Sequence, residues 1–213
     1  MSNNILYCIL HTQFQKDRVE NIKNTWGKNK NIIFYSDYND LFNNVFKVSN
    51  RSDYSSGQEK QINVFALLNH ILDTYDWYVF CDNDTFINTR LLEKMCENFD
   101  KEKVHGEIIN AWPLNKALYY PSGGAGFVMH NSLVKKIAPE LKQNYFVQYS
   151  DVSLGLNLQD LNIQLENNNL FKPKKPEFYS NITDADIKKY LSFHYVTEFS
   201  MMNHLNLLCS DNN

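Results

Sequence analysis

The chain has 213 residues, 43% of them hydrophobic and 21% charged, with a net charge of −3. These are ordinary values for a globular protein and suit a single folded domain over residues 1–213. They exclude a nucleic-acid footprint, which needs a basic stripe, and no apolar run reaches the length of a bilayer span.

The first apolar run, ILYCILH over Ile5–His11, reads as a central strand covered on both faces. A helix is predicted from about Lys16 to Trp26, with Val19, Ile22 and Trp26 on one face and Gly27 as its stop. NIIFY over Asn31–Tyr35 is a second strand, ending in Ser36-Asp37, and Val45–Val48 a short third. A longer helix is expected from about Gln58 to Tyr75, with Ile62, Phe65, Leu68 and Leu72 as its buried stripe. DWYVFC over Asp76–Cys81 is another buried strand, running directly into Asp82-Asn83-Asp84.

A helix over Thr89–Phe99 follows, then a strand over Glu107–Trp112 and a Gly-rich turn into a short strand, PSGGAGFVMH. Helices are expected over Ser132–Leu141, from Ser150 or Asp151 onward, and over Asp184–Leu191. Asn162–Pro176 reads as loop and edge strand. The alternation of strands and helices predicts an α/β fold: a Rossmann-like α/β/α sandwich around a mostly parallel central sheet. Ligands of such sheets bind beyond the carboxyl ends of the strands, where His11-Thr12, Ser36-Asp37 and Asp82-Asn83-Asp84 fall.

The aromatic content of 14% is high and is read mainly as core. The four cysteines form no CxxC pair and lie in apolar segments, so they are expected to be reduced, three of them buried. The first residues lack a basic n-region and a small-residue cleavage site. Together these features give the expectation of a cytoplasmic protein. The abundance of Asn, Lys and Ile hints at a microbial or viral source with an AT-rich genome.

Four segments carry chemistry. Asp82 and Asp84, emerging from a buried strand, are the carboxylate ligands that hard divalent cations prefer; the alternative is a plain polar turn. Gly123, Gly124 and Gly126 allow backbone to approach a ligand closely, or serve a simple hairpin. Asp151 is a candidate general base or a helix cap, at a helix start whose N–H groups and dipole favour its ionised form. His194 is a candidate metal ligand or a packed core histidine.

Taken in order, RVENIKNTWG, DWYVFCDNDTF, SGGAGFVM, SDVSLG and SFHYV resemble the inverting β-1,3-glycosyltransferases that include Fringe, core 1 galactosyltransferase and N-acetylglucosaminyltransferases. The resemblance runs from about Asp17 to His194 and implies a GT-A fold, a UDP-sugar donor, a glycan or glycoprotein acceptor and Mn²⁺ (or Mg²⁺). It implies that Asp84, Asp82 and His194 hold the metal and that Asp151 is the catalytic base. Thr12, Arg18, Asp37, Lys60, Asn83, Gly123 and Gly124 are then expected to bind the donor, Asn83 through a ribose or sugar hydroxyl. Two positions depart from the family pattern: Asn83 replaces the middle acid of its DDD, and Ser150 the acid before the base.

Two other readings compete. A non-catalytic carbohydrate-binding or interaction module would keep the fold and lose turnover. Haloacid-dehalogenase-type phosphatases share a strand followed by Asp-x-Asp-Thr, but have Thr or Val two places after the second Asp, where this chain has Phe86.

Overall fold

Six consecutive residues at the start of the chain, Ile5–Leu10, form a strand at the heart of a seven-stranded sheet. The computed structural model describes residues 4–144 and 147–210. In chain order its first half runs β1 (Ile5–Leu10), α1 (Asp17–Lys23), β2 (Asn31–Ser36), β3 (Val45–Lys47), α2 (Gly57–Leu68), β4 (Trp77–Asp82), β5 (Phe86–Ile87) and α3 (Thr89–Cys96). Then come β6 (Lys103–Gly106), β7 (Ile108–Asn110), β8 (Tyr119–Pro121), β9 (Phe127–His130), α4 (Asn131–Ile137) and α5 (Ser150–Asp160). The rest is β10 (Gln164–Asn167), β11 (Phe171–Lys172), α6 (Asp184–Ile187), β12 (Ser192–Phe193) and α7 (Phe199–Ser210).

The large sheet has the order β10-β6-β9-β4-β1-β2-β3. Its pairs are parallel except where β9 meets β4 and β6. Successive side chains of a strand point to opposite faces, and both faces are apolar here. Ile5, Tyr7 and Ile9 of β1, with Trp77, Val79 and Cys81 of β4, pack with α1, α3, α6 and α7. Leu6 and Cys8, with Tyr78 and Phe80, pack with α2, α4 and α5. This is the expected α/β/α sandwich. Phe80 anchors the second face, stacked on Phe65 at 4.7 Å and Phe127 at 5.1 Å. Burying each such ring is worth about 1.5–3 kcal/mol.

Several boundaries differ from the sequence reading. The helix expected to reach Tyr75 stops at Leu68, and Leu72–Thr74 makes a separate 3-10 turn. Asn69 and His70 are exposed, weak helix formers, and the chain must turn so that the Asp76 N–H reaches the Asn4 carbonyl at 2.8 Å. Phe65 and Leu68 of the expected stripe are buried, and Ile62 only partly. The side chain of Leu72 lies outside the described residues.

Of the strand expected over Glu107–Trp112 only Ile108–Asn110 forms, as β7, which pairs with β8; β6, just before it, was not anticipated and joins the large sheet. The break falls beside Gly106, where an added Cβ would lie 3.0 Å from Cβ of Phe127. Helix α6 ends at Ile187 rather than Leu191. Helix α7 was not anticipated; it buries Met202 and Leu205, one turn apart. Cys8, Cys81, Cys96 and Cys209 are free, the first three buried. Among the described residues no helix is long and apolar enough to cross a membrane.

Candidate active site

In the parallel register Leu10 of β1 lies opposite Asp82 of β4. The polar residues that follow each strand therefore arrive at one edge of the sheet. A cavity of about 450 Å³ opens there, lined by Thr12, Arg18, Lys60, Asp82, Asn83, Asp84, Gly123, Asp151 and His194 among others.

His194 reaches this edge through a small second sheet. Strand β5 follows Asp84 almost at once, and β12 ends just before His194. The two pair antiparallel, Phe86 opposite Phe193, and the Val196 N–H donates to the Asp84 carbonyl at 2.8 Å. The imidazole thus returns beside the carboxylates from which the chain departed. Its Nε2 lies 3.2 Å from Oδ1 of Asp84 and 3.8 Å from Oδ2 of Asp82.

Gly124 makes room for that ring, since a Cβ there would stand 2.1 Å from Cε1 of His194. Thr85 Oγ1 ties the turn down by donating to the Gly124 carbonyl at 2.8 Å. Gly124 does not line the cavity; Gly123 does.

The ligand atoms of Asp82, Asp84 and His194 all lie within 4.8 Å of one another. Two carboxylate oxygens and an imidazole nitrogen could hold a divalent cation. The electrostatics agree with such an occupant. Burial and then the charge of Asp84 push the Asp82 carboxyl up to about 7. Burial also raises Asp84, but its hydrogen bond and charge pairing with His194, with the Arg18 charge, outweigh this and hold it below the usual carboxylate range. Two acids this close disfavour each other's ionisation, and Asp82 is the one that keeps its proton to the higher pH.

Arg18 braces the pair, its Nη1 lying 3.5 Å from Oδ2 of Asp84 and donating to Oδ1 of Asn83 at 2.6 Å. The Asn83 amide, which sequence reasoning aimed at a ribose or sugar hydroxyl, is engaged inside the protein. Its Nδ2 bonds Nδ1 of His11 and Oε1 of Gln15, both at 2.9 Å. Asn83 is therefore a brace between β1 and β4.

Lys60 and Asp37 form a buried ion pair at 3.1 Å, and Lys60 also donates to the His11 carbonyl at 3.2 Å. Burial raises the Asp37 carboxyl, but the Lys60 bond and charge outweigh it and leave it lowered. Lys60 lines the cavity, whereas Asp37 stands behind it. Thr12 Oγ1 is buried without a hydrogen-bond partner among the described residues, on the cavity wall.

Asp151 opens α5. It accepts the Val152 N–H at 2.8 Å and the Gly123 N–H at 3.3 Å. The helix-start donors are thus in place, but they do not keep this acid in the ordinary range. Burial outweighs them and the carboxyl is raised, which corrects the sequence expectation. The shift suits a base that must take a proton from a hydroxyl.

Sequence reasoning placed His11 at the ligand-binding edge without a role and left Tyr54, Gln148 and Tyr195 unassigned; all four line the cavity. His11 was within reach, because it follows β1 as Asn83 follows β4. Burial keeps it neutral, its pKa lowered to about 4. Tyr195 carries no sequence signal beyond its place after His194. Its backbone is left-handed, with φ of 60°, and its ring stacks on His194 at 3.8 Å. A bulky residue rarely adopts that conformation. Lys174, read from the sequence as part of a solvated loop, lies over the same ring at 5.4 Å.

A model of the Fringe-like family matches residues 3–211. Among the solved structures that resemble the chain are three glycosyltransferases. One is a glycosyltransferase involved in glycosylation of the major capsid of PBCV-1, with a TM-score of 0.55 and 11% identity over 94% of this chain and 98% of that one. A second is the apo form of glycosyltransferase GlyE of Streptococcus pneumoniae TIGR4, with a TM-score of 0.55 and 10% identity. It matches 92% of this chain but only 55% of its own, so this chain spans about half of GlyE. The third is the galactosyltransferase LgtC in complex with donor and acceptor sugar analogs, with a TM-score of 0.52 and 12% identity over 98% of this chain and 97% of that one. At these identities the likeness establishes the fold, which is GT-A.

Proposed function

The chain belongs to the Fringe-like family of glycosyltransferases and has the GT-A fold, and from that premise we propose that it moves a hexose or N-acetylhexosamine from a UDP-sugar to an acceptor hydroxyl. The transfer inverts the anomeric centre, depends on Mn²⁺ or Mg²⁺, and forms a β-1,3 linkage to a glycan or glycoprotein. One observation carries the reading: Asp82, Asp84 and His194 converge on the wall of the same cavity that holds the raised carboxyl of Asp151.

Asp82, Asp84 and His194 are the residues to hold the ion, which when bound supplies positive charge to the diphosphate and to the departing UDP. Thr12 and Lys60, which line the cavity, are the residues to bind the nucleotide, with Asp37 paired to Lys60. Arg18 holds Asp84 and Asn83 in place. Asp151 takes the acceptor proton as that oxygen bonds to the anomeric carbon. The bond from that carbon to the diphosphate oxygen breaks, and the electron pair leaves with UDP. Attack and departure lie on opposite sides, so no covalent enzyme intermediate forms. The free cysteines support work in a reducing compartment.

The test is a panel of UDP-sugars with Mn²⁺ or EDTA, read as UDP release, with the product anomer assigned by NMR. The reading expects release that stops in EDTA and a β-linked product from an α-linked donor. An α-linked product overturns inversion, and release undiminished by EDTA overturns the metal.

A further inference from the structure

Exposed aromatic rings lose the benefit of burial, and a cluster of them at a cavity mouth marks a surface meant to be covered. Among the described residues, Phe14, Tyr54 and Tyr195 are large apolar side chains left exposed that line the cavity holding the candidate acids. Tyr149, also exposed, meets Tyr54 edge to face at 6.0 Å. This pair stands on the side of Asp151. Tyr149 is the cap position of α5, two residues before the acid. Tyr54 feels the Asp151 charge after the effect of its own partial burial.

The loop that carries Tyr54 is tied by its own polar contacts. Arg51 binds both oxygens of Asp53 at 3.0 and 2.8 Å and reaches Ser55 at 2.7 Å. Ser56 Oγ donates to the Asp53 carbonyl at 2.6 Å, and a Cβ at Gly57 would touch Ser150 at 3.5 Å. The loop carrying Tyr54 is therefore packed against the start of α5. Around the rings, Ser52, Asp53 and Gln148 bring hydroxyl, carboxylate and amide groups to the same wall.

An aromatic face with a polar rim matches one common chemistry. A pyranose has a flat C–H face and hydroxyls around its edge. We infer that Tyr54 and Tyr149 form the platform for the acceptor: one of its pyranose rings rests on them while one of its hydroxyls faces Asp151. This rests on the transfer reading above. Tyr54 and Tyr149 are then specificity-determining residues that read the acceptor rather than the donor.

The experiment is saturation-transfer NMR on the protein with UDP and Mn²⁺. The probes are the methyl glycosides of galactose, glucose, mannose, fucose and N-acetylglucosamine, and a Ser/Thr peptide. We expect at least one glycoside to show transfer to its ring C–H protons. Tyr54→Ala and Tyr149→Ala should each weaken that binding by about tenfold, the loss of one aromatic contact. Tyr54→Phe and Tyr149→Phe, which keep the ring, should preserve it. UDP affinity and melting temperature should stay at wild-type values throughout. Binding of the peptide alone, of no glycoside, or equal binding by the alanine variants overturns the inference. A wild-type chain that binds no UDP in the same titration overturns the transfer reading beneath it.

Discussion

The imidazole of His194 occupies the space that a side chain at Gly124 would need: a Cβ there would stand 2.1 Å from its Cε1 and 2.2 Å from its Nδ1. Gly124 is glycine for that reason, and it acts on the site without lining it. We expect Gly124→Ala to fold but to bind Mn²⁺ about 10–100-fold more weakly, the usual effect of displacing a ligand's support. Gly123→Ala is the control, since its Cβ would meet Asp151 only at an ordinary 3.6 Å. Calorimetry with Mn²⁺ decides, and wild-type affinity in Gly124→Ala would sink the argument.

Asp84→Ala should abolish metal-dependent UDP binding. The pH dependence follows from Asp82, whose carboxyl is raised to about 7 without a metal. Coordination needs it ionised, so Mn²⁺ affinity is full above that pH and weakens as pH falls through it. Below it the slope is on the order of tenfold per pH unit for one displaced proton. A flat Mn²⁺ titration between pH 5.5 and 8, roughly the range that brackets this group, removes the proposed competition.

Asp151→Asn should cut kcat by on the order of 10²-fold, as expected for losing a general base. UDP affinity should be unchanged. A helix cap alone predicts near-silence, because Asn caps as well as Asp. The folded carboxyl is raised by burial, and the base works only when ionised. Wild-type kcat should therefore fall with decreasing pH, starting above the range of an ordinary carboxylate. Near-wild-type turnover in Asp151→Asn leaves the mechanism without a base.

Lys60→Met leaves the Asp37 charge buried and unpaired, the two side chains being 4% and 1% exposed in the native pair. Breaking such a pair costs about 3–5 kcal/mol. Replacing both, as Lys60→Met with Asp37→Leu, should restore much of that stability while weakening UDP binding. Urea melts of the three proteins check this, and a single variant as stable as wild type shows the pair to be solvated.

The cysteines should neither pair nor react readily. Burial pushes the Cys96 thiol up to about 12 and the Cys209 thiol to about 11. Reductant should leave the melting temperature unchanged, and a thiol reagent should modify Cys209 before the three buried cysteines. A drop in melting temperature on reduction would expose a disulfide in the folded protein.

Much of the architecture was legible because it depends on local pattern. Continuous apolar runs marked β1 and β4, and the residues after them placed Asp82 and Asp84 at a sheet edge from neighbours in the chain alone. The order of five short motifs carried the family and the identity of Asp151 and His194 as candidates. Other features arise only from pairing between distant segments. His194 meets Asp84 because β5 and β12 pair, and two-residue strands are too short to show a period. Asn83 meets Arg18 and His11, and Asp37 pairs with Lys60, because the register of β1, β2 and β4 sets which polar side chains meet. Composition and local periodicity thus determined the sandwich and its polar edge. Which acids converge, and which polar groups brace them, was decided by strand register and close packing, which belong to pairs of segments and not to any one of them.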